Sequence, residues 1–307
     1  MADNVWLGGT STAWNTAGNW STGSVPTSSD NVLFDHRAQR DCAGFDASAV
    51  TLASLRITSG YTYSIGTYAA GVLTRLRVSA TLLTIGEPLG DGNIGSGSQL
   101  IAIDTGANAT AVNVLNTNST GQASGFAPVL LKGANSANKI TVVSGWVGLG
   151  TYILAEAFQF PTINVTGNQA YVECGTGYAT SSGSTPTINQ TAGLAFVRHN
   201  LTTLNQEGGT TTTADACTIT TADVGGNFFS NSSGTITTLN VQNGGSADFS
   251  QRTTARTVTN SNVYGTGQVN AENGIPKSIT FTNPIAIARG AKSTQVNFGP
   301  DVSVQQS

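Results

Sequence analysis

Carboxylates are the side chains in this sequence whose type and spacing come closest to a known chemistry. Glu207, Asp215 and Asp223 form a loose acidic group in the last third of the chain. Glycoside hydrolysis needs two carboxyl groups about 5 to 9.5 Å apart, one of them with a raised pKa. Adjacent strands could bring two of the three to that distance. Nothing else nearby completes a catalytic site, and carboxylates exposed in turns explain the pattern equally well. We therefore predict no catalytic residue and no enzymatic activity.

Other reactive residues lack the context that their chemistry requires. His36 and His199 are far apart in the sequence, and scattered carboxylates add no ligand spacing, so we predict no metal site. The G-x-G-x-x-G run at residues 90–95 has no helix pattern after it, which argues against a dinucleotide or any other cofactor. An odd number of widely spaced cysteines predicts small buried thiols and neither zinc binding nor disulfides: Cys42, Cys174 and Cys217.

The composition favours a neutral, polar surface. Charged residues make up 9% of the 307 residues, against roughly 25% in typical soluble domains, so the surface must consist mainly of Ser, Thr, Asn, Gln and Gly. The net charge of -3 and the few lysines leave no basic stripe for phosphates, which argues against nucleic acid as a partner. No apolar run is long enough to span a membrane, and no signal peptide pattern opens the chain. We expect synthesis in the cytoplasm without membrane insertion.

Short strands bounded by Gly, Asn or Ser turns are the dominant pattern, and helix signals are nearly absent. Ile219, Leu239, Val258 and Ile279 recur at intervals of about 20 residues, which is typical of solenoids. Thr210–Thr213 and similar threonine runs are predicted to face outward, and the Asn-rich and Gly-rich stretches 240–245 and 260–267 are predicted to be turns. The predicted fold is an all-β parallel β-helix, or β-solenoid. A β-sandwich, which would show longer strands of clean alternation, is the alternative.

An aromatic segment at the amino terminus is predicted to close one end of this core. A buried large aromatic ring covers about 150 to 250 Å², enough for three rings to seal a core that Gly and Thr cannot. Beyond it, alternation at residues 52–57 and again at 61–65 predicts a strand, a turn and a second strand. The residues assigned to the structural cap are Trp6, Trp14, Trp20, Pro26 and Asp30. We divide the chain into a cap at residues 1–50, a solenoid body at 51–274 and a docking or capping segment at 275–307.

The same segment resembles a known family. The run W-x-G-G, W-x-x-x-x-N-W-S-x-G-x-V-P-x-x-x-D-x-V-x-F, followed by D-A-S-A-V-T-L-A-S-L-x-I, is similar to the cap and first coils of β-solenoid virion proteins of tailed bacteriophages. Related sequences occur in autotransporter-like bacterial surface proteins. The resemblance implies a non-enzymatic virion structural protein, such as a capsid decoration or head-fibre protein. A tail fibre or tailspike that binds, and in some cases cleaves, host glycans is the alternative, and a secreted adhesin module is a third.

Residues 275–307 carry the predicted assembly contacts. This stretch lacks the recurrent Gly and Asn turns of the body. It also contains too many alternating apolar residues to remain exposed to water without a partner. We expect it to pack on a neighbouring subunit of a homotrimer, as the resemblance implies, or on the major capsid protein or another virion protein. Closure of the chain's own last coil is the alternative. The candidate contacts are Ile279, Phe281, Ile285, Ile287, Val296 and Phe298.

Overall fold

A computed structural model describes most of the chain. The described residues are 3–88, 94, 98–118, 127–150, 156–179, 185–252, 255–271, 279–282, 285–287, 295–297 and 302–304. They form two compact units, one of Met1–Pro161 with Gln169–Ser182 and one of Thr162–Asn168 with Gly183–Ser307. Within the described part, the only helical element is a single 3-10 turn at Ala17–Asn19. The expectation of an all-β protein is confirmed.

The first unit is built from parallel strands in two ladders. Its strands are β1 Asn4–Val5, β2 Asn31–Phe34, β3 Asp46–Thr58, β4 Thr67–Ala69, β5 Val72–Thr74, β6 Leu76–Glu87, β7 Ile101–Asp104, β8 Ala111–Val114, β9 Val129–Lys132, β10 Lys139–Leu149 and the later part of β11 Thr162–Cys174. One ladder runs β1, β2, β3, β6, β8, β10. The other joins β7 and β9 to the start of β6 and the end of β10. The hairpin of β4 and β5 is antiparallel.

A glycine corner lets one strand belong to both ladders. The first residues of β10 pair with β8, and its last residues pair with β9. Between these halves lies Gly145, whose φ of 92° is rarely adopted by residues with a side chain. A Cβ at this position would also lie 1.8 Å from the hydroxyl oxygen of Thr117. Only glycine therefore fits where the chain turns from one ladder to the other.

Strands β7 and β9 are buried on both faces. Every residue of Ile101–Ile103 and Val129–Leu131 is buried, although the side chains alternate between the two faces. The outer face forms a small apolar cluster of Leu100, Ala102, Ala127 and Leu130, against which Leu73 of the hairpin and Trp146 pack. Arg75 donates to the carbonyl oxygen of Leu130 and pairs with Glu156 beside this cluster. The hairpin thus covers a second, outer core.

The second unit repeats the same arrangement with greater regularity. Its strands are the first part of β11, β12 Thr187–Gln190, β13 Leu194–Val197, β14 Leu201–Gln206, β15 Thr210–Thr213, β16 Ile219–Val224, β17 Asn227–Ser230, β18 Ile236–Val241, β19 Ser246–Asp248, β20 Arg256–Val263, β21 Gln268–Asn270, β22 Ile279–Phe281, β23 Ala286–Ile287, β24 Gln295–Asn297 and β25 Val302–Val304. One parallel ladder runs β11, β12, β14, β16, β18, β20. The other runs β13, β15, β17, β19, β21, β24.

Successive partners in these ladders lie 16 to 27 residues apart in the sequence, and most lie 16 to 22 residues apart. Thr187 pairs with Thr203, Ile219 with Ile236, and Ile236 with Val258. The interval of about 20 residues in the sequence is close to this spacing, but the recurring apolar residues are not all register partners. Leu239 lies beside Ala222 and does not align with Ile219. The reason is that the turns between strands vary in length, so an average spacing does not identify the paired residues.

Several local expectations are also wrong. The segment 61–65 is not a strand, because the backbone N–H of Tyr61 donates to Thr58 and its hydroxyl donates to Ser64, which satisfies these groups within a turn. Thr211 and Thr213 are buried and do not face outward. Residues 240–241 and 260–263 are not turns, because they continue β18 and β20. The G-x-G-x-x-G glycines and Thr253 to Thr254 lie outside the described residues.

Candidate functional site

The second unit presents a regular polar face. Along one ladder, the outward positions two residues apart are threonine and then asparagine, and all of these side chains are partly exposed. The pattern follows from strand geometry, in which alternate residues share a face and parallel partners stack in register. We call this surface the threonine–asparagine face. Its members are Thr162, Asn164, Thr187, Asn189, Thr203, Asn205, Thr221, Asp223, Thr238, Asn240, Asn260 and Asn262.

Side-chain hydrogen bonds connect the asparagine row from strand to strand. The amide of Asn189 donates to the carbonyl oxygen of Asn164 at 2.9 Å, and the amide of Asn205 donates to Asn189 at 2.9 Å. Further along, Asn262 donates to Asn240 at 2.8 Å. Each amide therefore uses its N–H to satisfy the carbonyl oxygen of the preceding strand, and all of these bonds point in the same direction.

The row is interrupted at Asp223. Asn240 donates to Asp223 Oδ1 at 2.7 Å, but the next bond, from Asp223 to Asn205, is missing. An ionised carboxylate has no proton to donate, and the facing atom Asn205 Oδ1 is also an acceptor. Strand register nevertheless places the two residues directly beside each other. The step from Asn205 to Asp223 is therefore the one step of this row that no side-chain hydrogen bond joins in the described part of the chain.

A groove of about 570 Å³ lies at this interruption. It crosses the ends of four successive strands, β12, β14, β16 and β18, and every residue that lines it is polar or glycine. Glu207, which is exposed at the end of β14, contributes a second carboxylate. The other lining residues are Asn189, Gln190, Thr191, Asn205, Gln206, Asp223, Gly225, Gln242 and Asn243. Among the residues that the structure describes, the groove therefore has two carboxylates and no basic or aromatic side chain in its lining.

The structure brings together two of the three carboxylates that the sequence singled out. Glu207 and Asp223 line the same groove, whereas Asp215 lies outside it. Asp215 has a positive φ of 58° in a turn after β15, and its carboxylate pairs with Arg198 at 3.3 Å. Asp215 therefore has a structural partner of its own and takes no part in the groove.

Buried glutamines hold the corners beneath this groove. Gln190 is fully buried, its amide donates to Gly193 and Thr210, and its carbonyl oxygen accepts a hydrogen bond from Thr211. Gln206 repeats the amide bonds on the next strand, donating to Gly209 and Asn227. Its carbonyl oxygen has no partner, because Phe228 occupies the register position that Thr211 holds one strand earlier.

The three predicted cap tryptophans form one aromatic cluster around Phe34. Trp6, Trp14 and Trp20 are 0 to 2% exposed. Ring centroids are 5.1 Å apart for Trp6 and Trp20 and 4.6 Å apart for Trp14 and Trp20, both in edge-to-face geometry. Phe34 lies about 6 Å from each indole. The cluster lies beside β1, which pairs only with β2 among the described strands, so it covers one end of that ladder.

Asn19 holds the loop that carries these rings, although it was not among the predicted cap residues. Its side chain is fully buried, accepts from the backbone N–H groups of Thr10 and Ser11, and donates to Ala13. Of the other predicted cap residues, Pro26 is buried, and Asp30 accepts two hydrogen bonds from Thr27 in a short turn. The buried amide thus fixes a loop that has no regular strand pairing.

An ion pair between the buried carboxylate of Asp35 and the half-exposed guanidinium of Arg37 follows Phe34 of the tryptophan cluster. Asp35 is 1% exposed and accepts hydrogen bonds from the guanidinium of Arg37 at 2.7 to 3.1 Å. Burial of Asp35 would raise the pKa of its carboxyl, but the hydrogen bonds and the charge of Arg37 outweigh that effect. The pKa of Asp35 therefore lies below its ordinary value.

The described part of the predicted assembly segment pairs with this chain's own strands. β22 and β23 lie parallel to β20, β24 to β21, and β25 to β22. This is the pairing expected if the segment closes the chain's own ladder. Phe298 lies outside the described residues. The other candidate contacts lie on these strands or beside β23: Ile279, Phe281, Ile285, Ile287 and Val296.

The remaining reactive groups are separate from the groove. All three cysteines are buried, and burial raises the pKa of Cys42 and Cys217 to about 12, so these two stay protonated at neutral pH. His36 is exposed and His199 is buried. Among the residues described, no group of three His, Cys, Asp or Glu side chains is placed to hold a metal ion. No helix in the described part is long and apolar enough to span a membrane.

No family model matches the chain, and the comparisons with curated sequences and with solved structures also found no match.

One sequence signal could have revealed the polar face. The tripeptide T-x-N, or T-x-D, occurs at residues 162–164, 187–189, 203–205, 221–223 and 238–240. Each copy places its first and third residues on the outward side of a strand, and its middle residue in the core. Read at period two within each strand, this repeat gives the correct register, which the apolar residues alone do not.

Proposed function

We propose that this chain is a β-solenoid that serves as a non-enzymatic structural protein of a bacteriophage virion, as a capsid decoration or head-fibre protein. The observation that supports it most strongly is the stacking of parallel strands in register, with successive partners about 16 to 22 residues apart. A repeat of that length fits one solenoid coil of about three short strands with their turns. The similarity of residues 5–66 to the cap and first coils of such virion proteins supports the role.

The chemistry of the surface is consistent with this role. Solenoid coils present rows of identical polar groups, here threonine and asparagine, that neighbouring strands satisfy through their own hydrogen bonds. Few charged residues are needed for such a surface, in agreement with the 9% charged composition. Attachment to a capsid would then depend on shape, apolar contacts and backbone pairing, and not on long-range charge.

Association into a homotrimer on the virion surface belongs to the same proposal. Its partners would be further copies of the chain and the major capsid protein or another virion protein. A receptor-binding tail protein is the second candidate function, and the polar groove at Asp223 is the specific observation that favours it.

Add-back to particles tests the proposal. Virions of the phage that encodes this chain would be prepared with the gene deleted and mixed with the purified protein. We expect saturable binding of many copies to the capsid shell, seen by sedimentation and negative-stain microscopy. Binding confined to the tail would favour the second candidate, and the absence of any binding to the particle would contradict both. Incubation with host capsule and lipopolysaccharide should release no sugar.

A further inference from the structure

The turn between β18 and β19 places an asparagine directly before a glycine. The backbone N–H of Gly245 donates to Gln242 at 3.0 Å, so Asn243 and Gly244 are the two central residues of this turn. Gly244 has a positive φ of 81°, and a Cβ added to it would meet no atom within 4 Å beyond its chain neighbours. Asn243 is exposed. The nitrogen of Gly244 therefore follows the Asn243 amide with no side chain of its own to hinder a reaction between them.

Thr266, in the turn between β20 and β21, contacts both of these residues. Its hydroxyl oxygen lies 2.7 Å from Asn243 Oδ1, and its backbone N–H donates to the same oxygen at 3.1 Å. The backbone N–H of Gly244 donates to the Thr266 hydroxyl oxygen at 3.0 Å. One hydroxyl group therefore donates to the side-chain carbonyl of Asn243 and accepts from the nitrogen of Gly244.

We propose that Asn243 is a site of self-modification, at which Asn243 and Gly244 form a succinimide ring with the Thr266 hydroxyl as the proton relay. The nitrogen of Gly244 attacks Cγ of Asn243, and a C–N bond forms. The proton of that nitrogen passes to the Thr266 hydroxyl oxygen, which gives its own proton to Asn243 Oδ1. The C=O bond then forms again as this proton moves to Nδ2, and ammonia leaves. Water opens the ring to aspartate or isoaspartate and is the only co-reactant.

The contacts of Thr266 favour this reaction in two ways. Negative charge develops on Asn243 Oδ1 as the C–N bond forms, and both donors of Thr266 are within hydrogen-bond distance of this oxygen, as in an oxyanion hole. An amide nitrogen is a poor nucleophile while it keeps its proton, and the Thr266 hydroxyl is within reach to accept that proton. Because Asn243 is exposed, the ammonia is released directly into water.

The reaction changes the charge at one end of the polar groove. Asn243 lines this groove together with Glu207 and Asp223, so either product adds a third carboxylate to the lining. The chain, whose net charge is -3, gains one further negative charge. Isoaspartate also lengthens the main chain of the turn, because the backbone then runs through the former side chain. The surface of the second unit therefore changes with the age of the protein.

Ageing of the folded full-length chain at neutral pH tests the proposal. Peptide mass spectrometry would follow the mass increase of about 1 Da that replacement of an amide by a carboxyl group produces, and enzymatic methylation of isoaspartate would identify that product. Thr266→Val keeps the branched shape and the backbone N–H at an exposed position but removes the hydroxyl. We expect this variant to slow the conversion of Asn243 by about tenfold or more. Thr266→Ser keeps a hydroxyl and should retain the rate of the parent.

Two controls separate the contribution of Thr266 from the intrinsic reactivity of the sequence. In urea the contacts of Thr266 are lost, so the parent and Thr266→Val should convert Asn243 at equal rates. The second Asn-Gly pair of the chain, Asn273 and Gly274, lies outside the described residues and serves as a reference for the chemistry in each sample. Its rate should not respond to substitution of Thr266.

Three results would overturn the proposal. The first is a folded chain in which Asn243 stays unmodified for as long as the chain in urea takes to convert. The second is equal or faster conversion in Thr266→Val at an unchanged melting temperature, which would show that Thr266 holds the turn rigid and protects it. The third is a Thr266→Ser variant as slow as Thr266→Val, which would exclude the hydroxyl as the relay.

Discussion

Asn205 and Asp223 lie directly beside each other on neighbouring parallel strands, yet no hydrogen bond joins their side chains. On both sides of this pair the same row is connected by amide hydrogen bonds of 2.7 to 2.9 Å. One carboxylate in place of one amide therefore interrupts the asparagine row, whose other neighbouring side chains are joined by hydrogen bonds. This single position links the stability of the fold to the chemistry of the groove.

Completing the asparagine row should stabilise the protein. Asp223→Asn allows a new amide hydrogen bond to the neighbouring Asn205. We expect an increase in the free energy of unfolding of about 0.5 to 1.5 kcal/mol, measured by urea denaturation. The reverse change, Asn240→Asp, should create a second interruption and lower the stability. A less stable Asp223→Asn variant would show that the row does not behave as a continuous ladder.

Removal of a tryptophan ring should destabilise the first unit. Trp20 contacts Trp6, Trp14 and Phe34, and its indole N–H donates to the Trp14 carbonyl oxygen at 2.7 Å. Trp20→Ala should therefore cost about 3 to 5 kcal/mol in unfolding free energy. Tyr68→Ala serves as the aromatic control, because Tyr68 is 37% exposed on the hairpin, and a surface change of this kind usually stays within about 0.5 kcal/mol. Equal melting of Trp20→Ala and the parent would assign the ring to the surface.

Acid should weaken the region around Asp35. Because its pKa is lowered in the folded chain, the unfolded chain takes up this proton more readily, and stability rises with pH. The contribution is complete above the ordinary pKa of about 4 and is lost as the pH falls through the lower folded value. Asp35→Asn should therefore lose less stability than the parent between pH 6 and pH 3 in urea titrations. An identical loss in both proteins would exclude Asp35 as a source of acid sensitivity.

Deletion of residues 275–307 should expose unpaired strand edges. β20 and β21 would lose their parallel partners β22, β23 and β24, and open edges of this kind promote association between chains. We expect the truncated chain to aggregate in size-exclusion chromatography. Truncation after Val304, which retains every described strand, is the control. A folded, soluble truncated chain that no longer oligomerises would instead identify 275–307 as an arm that packs on a neighbour.

Composition and period predicted the all-β character of the fold correctly. The frequent Gly, Asn and Thr residues predict short strands, few helices and a repeat of about 20 residues. The structure is all-β with parallel ladders. The register between neighbouring strands was harder to predict from the sequence. Ile219 and Leu239 are both apolar at about the right interval, but they stack on Ile236 and Ala222. Because each turn has its own length, one apolar residue per strand does not determine which residues pair.

The candidate site was predictable only in part. Glu207 and Asp223 were selected from the sequence, and they meet in one groove because each ends up near the end of a strand in the same ladder. The asparagine row was missed, since its meaning depends on neighbours 16 to 25 residues away. Thr211 was expected to face solvent, but the buried carbonyl oxygen of Gln190 gives its hydroxyl a partner in the core.

The copy number of the chain in purified virions tests the proposed role most directly. If a phage encodes the chain, as proposed, quantitative mass spectrometry of its virions would compare this chain with the major capsid protein. A capsid decoration or head-fibre protein should be present in hundreds of copies per particle or at a fixed ratio to the shell subunits. About a dozen copies would indicate a tail protein, and absence from virions that contain all other structural proteins would contradict a virion role.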